Sequence, residues 1–353
     1  MPCSTARRVR CARTKPDGPC AVAVGEFQLI DRWFRPLDRT GVDRRADVVL
    51  GVGDDAALLD VPPGQHLVAA LDTLVAGTHF LPGCDPASIG HRALAVNLSD
   101  LAAMGATPAW ALLGLTLPQA DEAFVAGFAR GLGELAAGFG VALVGGDTTA
   151  GPLSATVQVL GFVPRGEALR RAGAAPGDLL FVSGTPGDAA AGLLLERGEE
   201  GGVAVPVGLE KAAHRLRERF LFPEPRVALG IALRGLASAC IDVSDGLAGD
   251  AGKLAAASGC GLRIEIADLP LSAALLSLVG EVRSRELALA GGDDYELCFT
   301  VPAARLAELA GALADVDCPV RCIGVLEPEP GVRLVADGRV VDGAPAGFDH
   351  FSA

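Results

Sequence analysis

Lysine is almost missing from this chain. Only Lys15, Lys211 and Lys253 occur in 353 residues, and none of them follows a Gly-x-x-x-x-Gly loop. The lysine-based phosphate cradle of P-loop enzymes is therefore excluded. No Gly-x-Gly-x-x-Gly opens a helix in the expected setting, which disfavours a dinucleotide enzyme. Aromatic residues make up 5% of the chain, so Leu, Val and Ala must fill its cores. No apolar run approaches the length of a membrane span. Arg7, Arg8, Arg10, Arg13 and Lys15 crowd the first segment, but no apolar stretch of a secretory signal follows them. The net charge of −13 argues against a nucleic-acid or membrane-surface partner. The nine cysteines show no repeated C-x-x-C pair, and Cys318 and Cys322 have no second pair nearby. Reduced thiols in a cytoplasmic protein are expected rather than a zinc site. No Ser-His-Asp or Cys-His arrangement can be read from the spacing.

The chain does hold apolar runs with an aspartate near the end of each. The length suits two domains. Short β-like runs alternate with longer helical ones. Residues 25–37 read as an opening helix, 86–105 as a helix broken near Ser99, and DEAFVAGFARGLGELAAGFG as a helix with acids in its first turn. VVLGVG, HLVAALDTLV, WALLGLTLP, VALVGGD and SATVQVLGFVP read as strands. A boundary is expected in the Pro- and Gly-rich stretch 164–178. Beyond it the rhythm restarts, with strands at DLLFVSG, ASACIDVS, LRIEIADL, YELCFTVP, CPVRCIGVL and VRLVADG. Mixed hairpin and crossover spacing predicts an α/β protein with mixed sheets rather than a doubly wound parallel sheet. The expected division is 25–165 and 166–353, preceded by a disordered or mis-started extension over 1–24.

The acids carry the chemistry. Asp54 and Asp55 follow VVLGVG, Asp72 follows HLVAAL, Asp100 closes ALAVNLS, and Asp147 follows VALVGG. Asp242 and Asp245 flank Ser244 in CIDVSDG, and Asp293 and Asp294 lie in LAGGDDYEL. Each has an ordinary reading alone: a turn residue, a helix cap, a backbone acceptor. Ser244 or Asp245 could cap the helix starting near Leu247, a role that leaves Asp242 unexplained. Jointly they are too many for caps. Carboxylates ~4 Å apart repel by roughly 4 kcal/mol per pair at an effective dielectric of about 20, so cations are needed to hold them together. Oxygen donors suit magnesium. His79 could touch a ligand or be structural. Arg170 and Arg171 could contact phosphate, since guanidinium matches it bidentately. Ser183 and Thr185 beside Gly184 and Gly187 resemble an anion-binding helix entry.

Together GEFQLI, GVGDDAALL, LDTLVAGTHF, HRALAVNLSDLAAMGATPAW, VGGDTTAGPLS, GTPGDAAAGL, IDVSDGL, GGDDYELCF and GFDHF resemble the thiamine-monophosphate kinase family, in its order and spacing, over nearly the whole chain. GxGDD and SDG alone would indicate only the wider aminoimidazole-ribotide synthetase-like superfamily. The resemblance implies that superfamily's two-domain fold, with the N-terminal sheet pairing across a homodimer. It implies the last step of thiamine diphosphate biosynthesis, transfer of phosphate from ATP to thiamine monophosphate, in the cytoplasm. It further implies magnesium ligation by Asp54, Asp55, Asp72, Asp100, Asp147, Asp242 and Asp245. ATP contacts fall at Gly146, Asp147, Arg171 and Ser244, and substrate contacts at His79, Asp293 and Phe348. Asp293 stands where relatives often carry Glu. Two rivals stand beside this reading: another ATP-using synthetase of the superfamily, and an assembly factor like the hydrogenase-maturation relatives. The latter typically end in a reactive Cys, whereas this chain ends FDHFSA.

Overall fold

Two mixed sheets enclose a buried helix in the computed structural model, which describes residues 25–40, 43–198 and 202–341. The opening helical run is not uniform. It begins as α1 (Glu26–Leu29), widens into a π-type turn over Ile30–Phe34 and tightens into a 3-10 turn over Arg35–Asp38, where Pro36 denies a backbone donor. Two short hairpins follow: β1 (Arg39–Thr40) with β2 (Asp43–Arg44), and β3 (Val48–Leu50) with β4 (Leu58–Leu59).

The first sheet joins β5 (Gln65–Val75), β6 (Thr107–Leu117), β7 (Ala142–Ala150) and β8 (Ser154–Pro164) in the order β5-β8-β6-β7. β8 runs antiparallel to both its neighbours. β6 and β7 are parallel, the crossover between them being α3 (Glu122–Phe139), which Asp121 caps through the amides of Ala123 and Phe124. Between β5 and β6 runs α2 (Pro86–Ala103), buried along its length except at Pro86, His91 and Asp100. An apolar run of this kind without a polar face belongs inside a protein. Small residues let α3 press on α2: a Cβ at Gly90 would strike the carbonyl of Phe128, and one at Gly131 that of Ala87.

The second sheet has the order β10-β12-β9-β13-β11-β14-β15. Its strands are β9 (Leu179–Ser183), β10 (Ala239–Val243), β11 (Gly261–Glu265), β12 (Glu296–Val301), β13 (Val320–Glu327), β14 (Gly331–Ala336) and β15 (Arg339–Val341). Only β11 and β14 pair in parallel. The helices are α4 (Asp188–Glu196), α5 (Glu210–Leu221), α6 (Val227–Ala232), α7 (Leu247–Ala257), α8 (Ala273–Ala290) and α9 (Leu306–Ala312). One apolar core runs from the first sheet through α2 to Phe181, Leu297 and Phe299 of the second.

Both sheets are mixed, as the spacing predicts. The expected break at Ser99 is absent, because its hydroxyl donates to Asp242 Oδ2 at 2.9 Å and leaves the backbone of α2 undisturbed. α8 and α9 escape the sequence reading. In α8 the left-handed Gly280 (φ 75°) interrupts the apolar rhythm and kinks the helix. The N-terminal segment 1–24 and Phe348 lie outside the described residues.

Candidate active site at the C-terminal end of the buried helix

The acids gather in two places. Asp100 is the polar exit from α2, and Asp242 faces it from β10 with 6% of its surface exposed. Asp72 projects from the core face of β5 toward the same region. Burial chiefly, then the charges of Asp242 and Asp72, push the Asp100 carboxyl up to about 7, against the pull of Arg171. Burial also pushes Asp242 up to about 6, although Ser99 and Arg171 favour its charged form while Asp250 and Asp72 oppose it. Asp72 is raised by burial too; His79 lowers it and Asp245 raises it. Asp72, Asp100, Asp242, Asp245, His79 and Arg171 thus feel one another's fields.

Local hydrogen bonds explain why these side chains are available. Asp250, one turn inside α7, accepts from the amides of both Ser244 and Asp245 at 2.9 Å. The N-cap itself is Gly246. Neither Ser244 nor Asp245 caps α7, which has no side-chain cap; Asp250, which the sequence reading missed, instead holds their amides from inside the helix. Asp245 instead takes a 2.6 Å contact from Lys253, which also holds Asp250 at 2.9 Å. His79 Nδ1 accepts from the amide of Val75 at 3.0 Å, so in the neutral ring the proton sits on Nε2.

The second group lines a cleft of about 670 Å³ at the β7 edge, bounded by the opening helical run and the turn over 52–57. Asp54, Asp55, Gly146 and Asp147 all face it. Asp54 Oδ1 accepts from the amide of Asp55 at 2.8 Å, which fixes the turn. Arg35, another residue the sequence reading overlooked, holds this turn from below. It donates to the carbonyl of Val52 and to Asp31, and its guanidinium fills the space where a Cβ on Gly53 would sit. Gly146 has φ 149°, and a Cβ there would strike the carbonyl of Leu113.

Strand register separates the groups. Asp72, Val157, Leu113 and Gly146 form one row across the first sheet, and Thr73, Thr156, Gly114 and Asp147 form the next. Adjacent rows point to opposite faces. Asp147 therefore shares the outer face with Thr73 and Thr156, whose hydroxyls lie 2.9 Å apart, while Asp72 turns to the core. Three strand spacings of about 4.8 Å put β5 and β7 roughly 14 Å apart. The expectation that all the acids converge needs correcting to this extent: within one chain they form two groups. Among the described residues, no three acidic, histidine or cysteine side chains form a ready metal cage.

The anion-binding reading of residues 183–187 also needs correction. Buried Asp294 accepts from the amides of Gly187 and Ala189, so the entry to α4 already holds an internal carboxylate. The Ser183 hydroxyl is spent on Glu296 and that of Thr185 on Asp188.

Comparison with known proteins gives this geometry its context. Residues 53–163 match AIR synthase related protein, N-terminal domain, and residues 175–337 match the C-terminal domain of the same description. The thiamine-monophosphate kinase of Escherichia coli (strain K12) is 49% identical over 332 residues, covering 94% of this chain and 99% of that protein. The chain belongs to the thiamine-monophosphate kinase family. The crystal structure of the thiamine-monophosphate kinase from Stenotrophomonas maltophilia K279a superposes with a TM-score of 0.81 at 45% identity, over 90% of this chain and 98% of that one. AaThiL complexed with AMPPCP and TMP superposes with a TM-score of 0.72 at 33% identity, over 93% and 97% of the two chains.

Of the residues expected from the sequence to meet the substrate, His79 and Asp293 lie near the first group. His79 acts on Asp72. Asp293 is tied by its amide to the carbonyl of Ser244 at 2.9 Å, which fixes it to the loop that carries Asp245.

Proposed function

We infer that this member of the thiamine-monophosphate kinase family transfers the γ-phosphate of ATP to thiamine monophosphate, giving ADP and thiamine diphosphate. The observation that carries the chemistry is the charge-starved acid group at the end of α2. Asp72, Asp100 and Asp242 are costly to ionise where they are, and Arg171 is the cation that opposes the rise at both Asp100 and Asp242. Such a group is built to receive cations. The donors fit magnesium, being carboxylate oxygens throughout. Asp72, Asp100, Asp242 and Asp245 would hold ions on the core side, and Asp54, Asp55 and Asp147 on the side of the cleft. Bound there, magnesium would supply the positive charge that lets two phosphate-bearing anions approach.

The chain's own residues do the rest by positioning. Gly146 lets the backbone at the cleft approach a nucleotide closely, and Arg171 and Ser244 offer donors to its phosphates. His79 and Asp293 face the thiamine end. The acceptor is a phosphate monoester, already anionic near neutral pH, so no side chain has to remove a proton to create the nucleophile. Transfer is direct and in line, without a phosphoenzyme. ADP release with thiamine monophosphate, measured against thiamine and aminoimidazole precursors, tests the substrate, and equal release with the precursors would exclude it. A chiral γ-phosphate should be inverted; retention would exclude direct transfer.

A homodimer is part of this reading. The outer face of the first sheet leaves Leu67 and Leu71 of the edge strand β5 exposed at 45% and 57%. An edge that is unpaired among the described residues and carries apolar side chains favours pairing with a second sheet. A partner on this face would also meet Asp147, which lies on it. Free thiols at Cys84, Cys240, Cys260, Cys298, Cys318 and Cys322 support a reducing, cytoplasmic setting. Among the described residues no helix is long and apolar enough to cross a membrane.

A further inference from the structure

One ionised side chain in the core has no part in the chemistry so far. Arg92, on α2, is 2% exposed. Its guanidinium donates to the carbonyl of Phe220 at 2.7 Å, to Asp293 Oδ1 at 2.6 Å and to the carbonyl of His79 at 3.4 Å. The group lies 4.6 Å from the ring centre of Phe220 and 5.8 Å from that of Tyr295. Among the described residues its buried Nε meets no hydrogen-bond partner. An apolar residue would fill this place at no desolvation cost, as Ala93 and Leu94 do beside it. Its bond to Phe220 serves the last turn of α5, where the carbonyl has no helical donor, but that role does not require the bonds to Asp293 and His79.

Its partners point elsewhere. Asp293 is held in the left-handed region (φ 70°), as is Tyr295 (φ 51°), whose hydroxyl lies 3.3 Å from the same Oδ1. Backbone strain of this kind persists only where the surroundings enforce it. Oδ1 is thus doubly engaged, whereas the Asp293 side chain remains 28% exposed. Among the described residues both bonds fall on Oδ1, which leaves Oδ2 to meet a ligand. Arg92 also reaches the His79 carbonyl through a longer contact, so both thiamine-side residues border one guanidinium. α2 carries Asp100 eight residues further on, about 12 Å along a rigid axis.

We propose that Arg92 is a positioning residue for the thiamine end of the substrate: from inside the core it fixes Asp293 Oδ2 and the His79 backbone at a set distance from Asp100. The amine-bearing, cationic heterocycles of thiamine monophosphate are the groups an oriented carboxylate would take. This rests on the reading of Asp293 as a thiamine contact.

The test uses the full chain with ATP, magnesium and thiamine monophosphate, and compares Arg92→Met, Arg92→Lys, Asp293→Ala and the double variant Arg92→Met/Asp293→Ala. Arg92→Met should raise the KM for thiamine monophosphate at least tenfold and leave the KM for ATP within twofold. Arg92→Lys should recover part of the loss. The double variant should be no worse than the weaker-binding single variant, since both remove one arrangement. If Asp293→Ala raises that KM and a folded Arg92→Met does not, the positioning role is wrong and the thiamine contact stands. An unchanged KM in Asp293→Ala removes the contact and the inference with it. Multiplicative effects in the double variant, or equal rises in both KM values, would reduce Arg92 to a structural role. Should Arg92→Met fail to fold, Arg92→Lys carries the same comparison; failure of the lysine variant to fold would also overturn the proposal.

Discussion

Replacing Asp100 by Asn should make the metal-free protein more stable and the enzyme inactive. Asp100 titrates near 7 in the folded chain, raised from 3.8 by burial and by Asp242 and Asp72. The folded state therefore keeps a proton that the unfolded chain gives up between about pH 4 and 7, and stability falls as pH rises through that window. At about 1.36 kcal/mol for each tenfold change in proton affinity, the full cost above pH 7 is roughly 4 kcal/mol. The three acids titrate as a coupled group and the site can relax, so about 2–4 kcal/mol is the expected gain for Asp100→Asn at pH 8. For a chain of this size that corresponds to roughly 3–5 °C in Tm. The assay is thermal unfolding in EDTA at pH 8 and pH 4, with and without magnesium. The variant should melt higher at pH 8 without metal and match the parent at pH 4. Magnesium should stabilise the parent more than the variant, while kcat in the variant falls by roughly a hundredfold or more. A variant no more stable than the parent at pH 8 in EDTA would refute the claim that Asp100 is strained by uncompensated charge.

Ser99→Ala removes the hydroxyl that favours ionised Asp242; it should cost about 1 kcal/mol and shift the acid limb of the rate profile to higher pH. Gly146→Ala, whose Cβ would meet the Leu113 carbonyl, should weaken nucleotide binding, read as a rise in the KM for ATP beyond that for thiamine monophosphate. Leu71→Arg, on the exposed face of β5, should convert a dimer to monomer in light scattering while leaving each chain folded.

The parts of this protein that the sequence announces are those whose physics is local. Apolar runs ending at Asp72, Asp147 and Asp242 mark the strands β5, β7 and β10, and the Asp121 cap marks α3. What stays hidden depends on partners far along the chain. Ser99 reads as a helix breaker until Asp242 appears as its acceptor across 143 positions. Ser244 and Asp245 read as caps because nothing in the spacing shows that Asp250 folds back onto their amides. Arg92 lies in an apolar stretch with no local partner, its carboxylate being 201 residues away. The split between Asp72 and Asp147 comes from strand order, β5-β8-β6-β7, which periodicity does not encode. Lys253 is visible in the sequence, but its role is not, since it emerges only with the turn of α7 that sets the ammonium against Asp245.

A crystal structure of this chain with manganese in place of magnesium, a non-hydrolysable ATP analogue and thiamine monophosphate, with anomalous data, is the most direct test. Anomalous peaks about 2.1–2.2 Å from carboxylate oxygens of Asp72, Asp100 and Asp242, bridging to phosphate oxygens, are expected. Nucleotide and thiamine monophosphate bound with no peak near those three side chains would contradict the account.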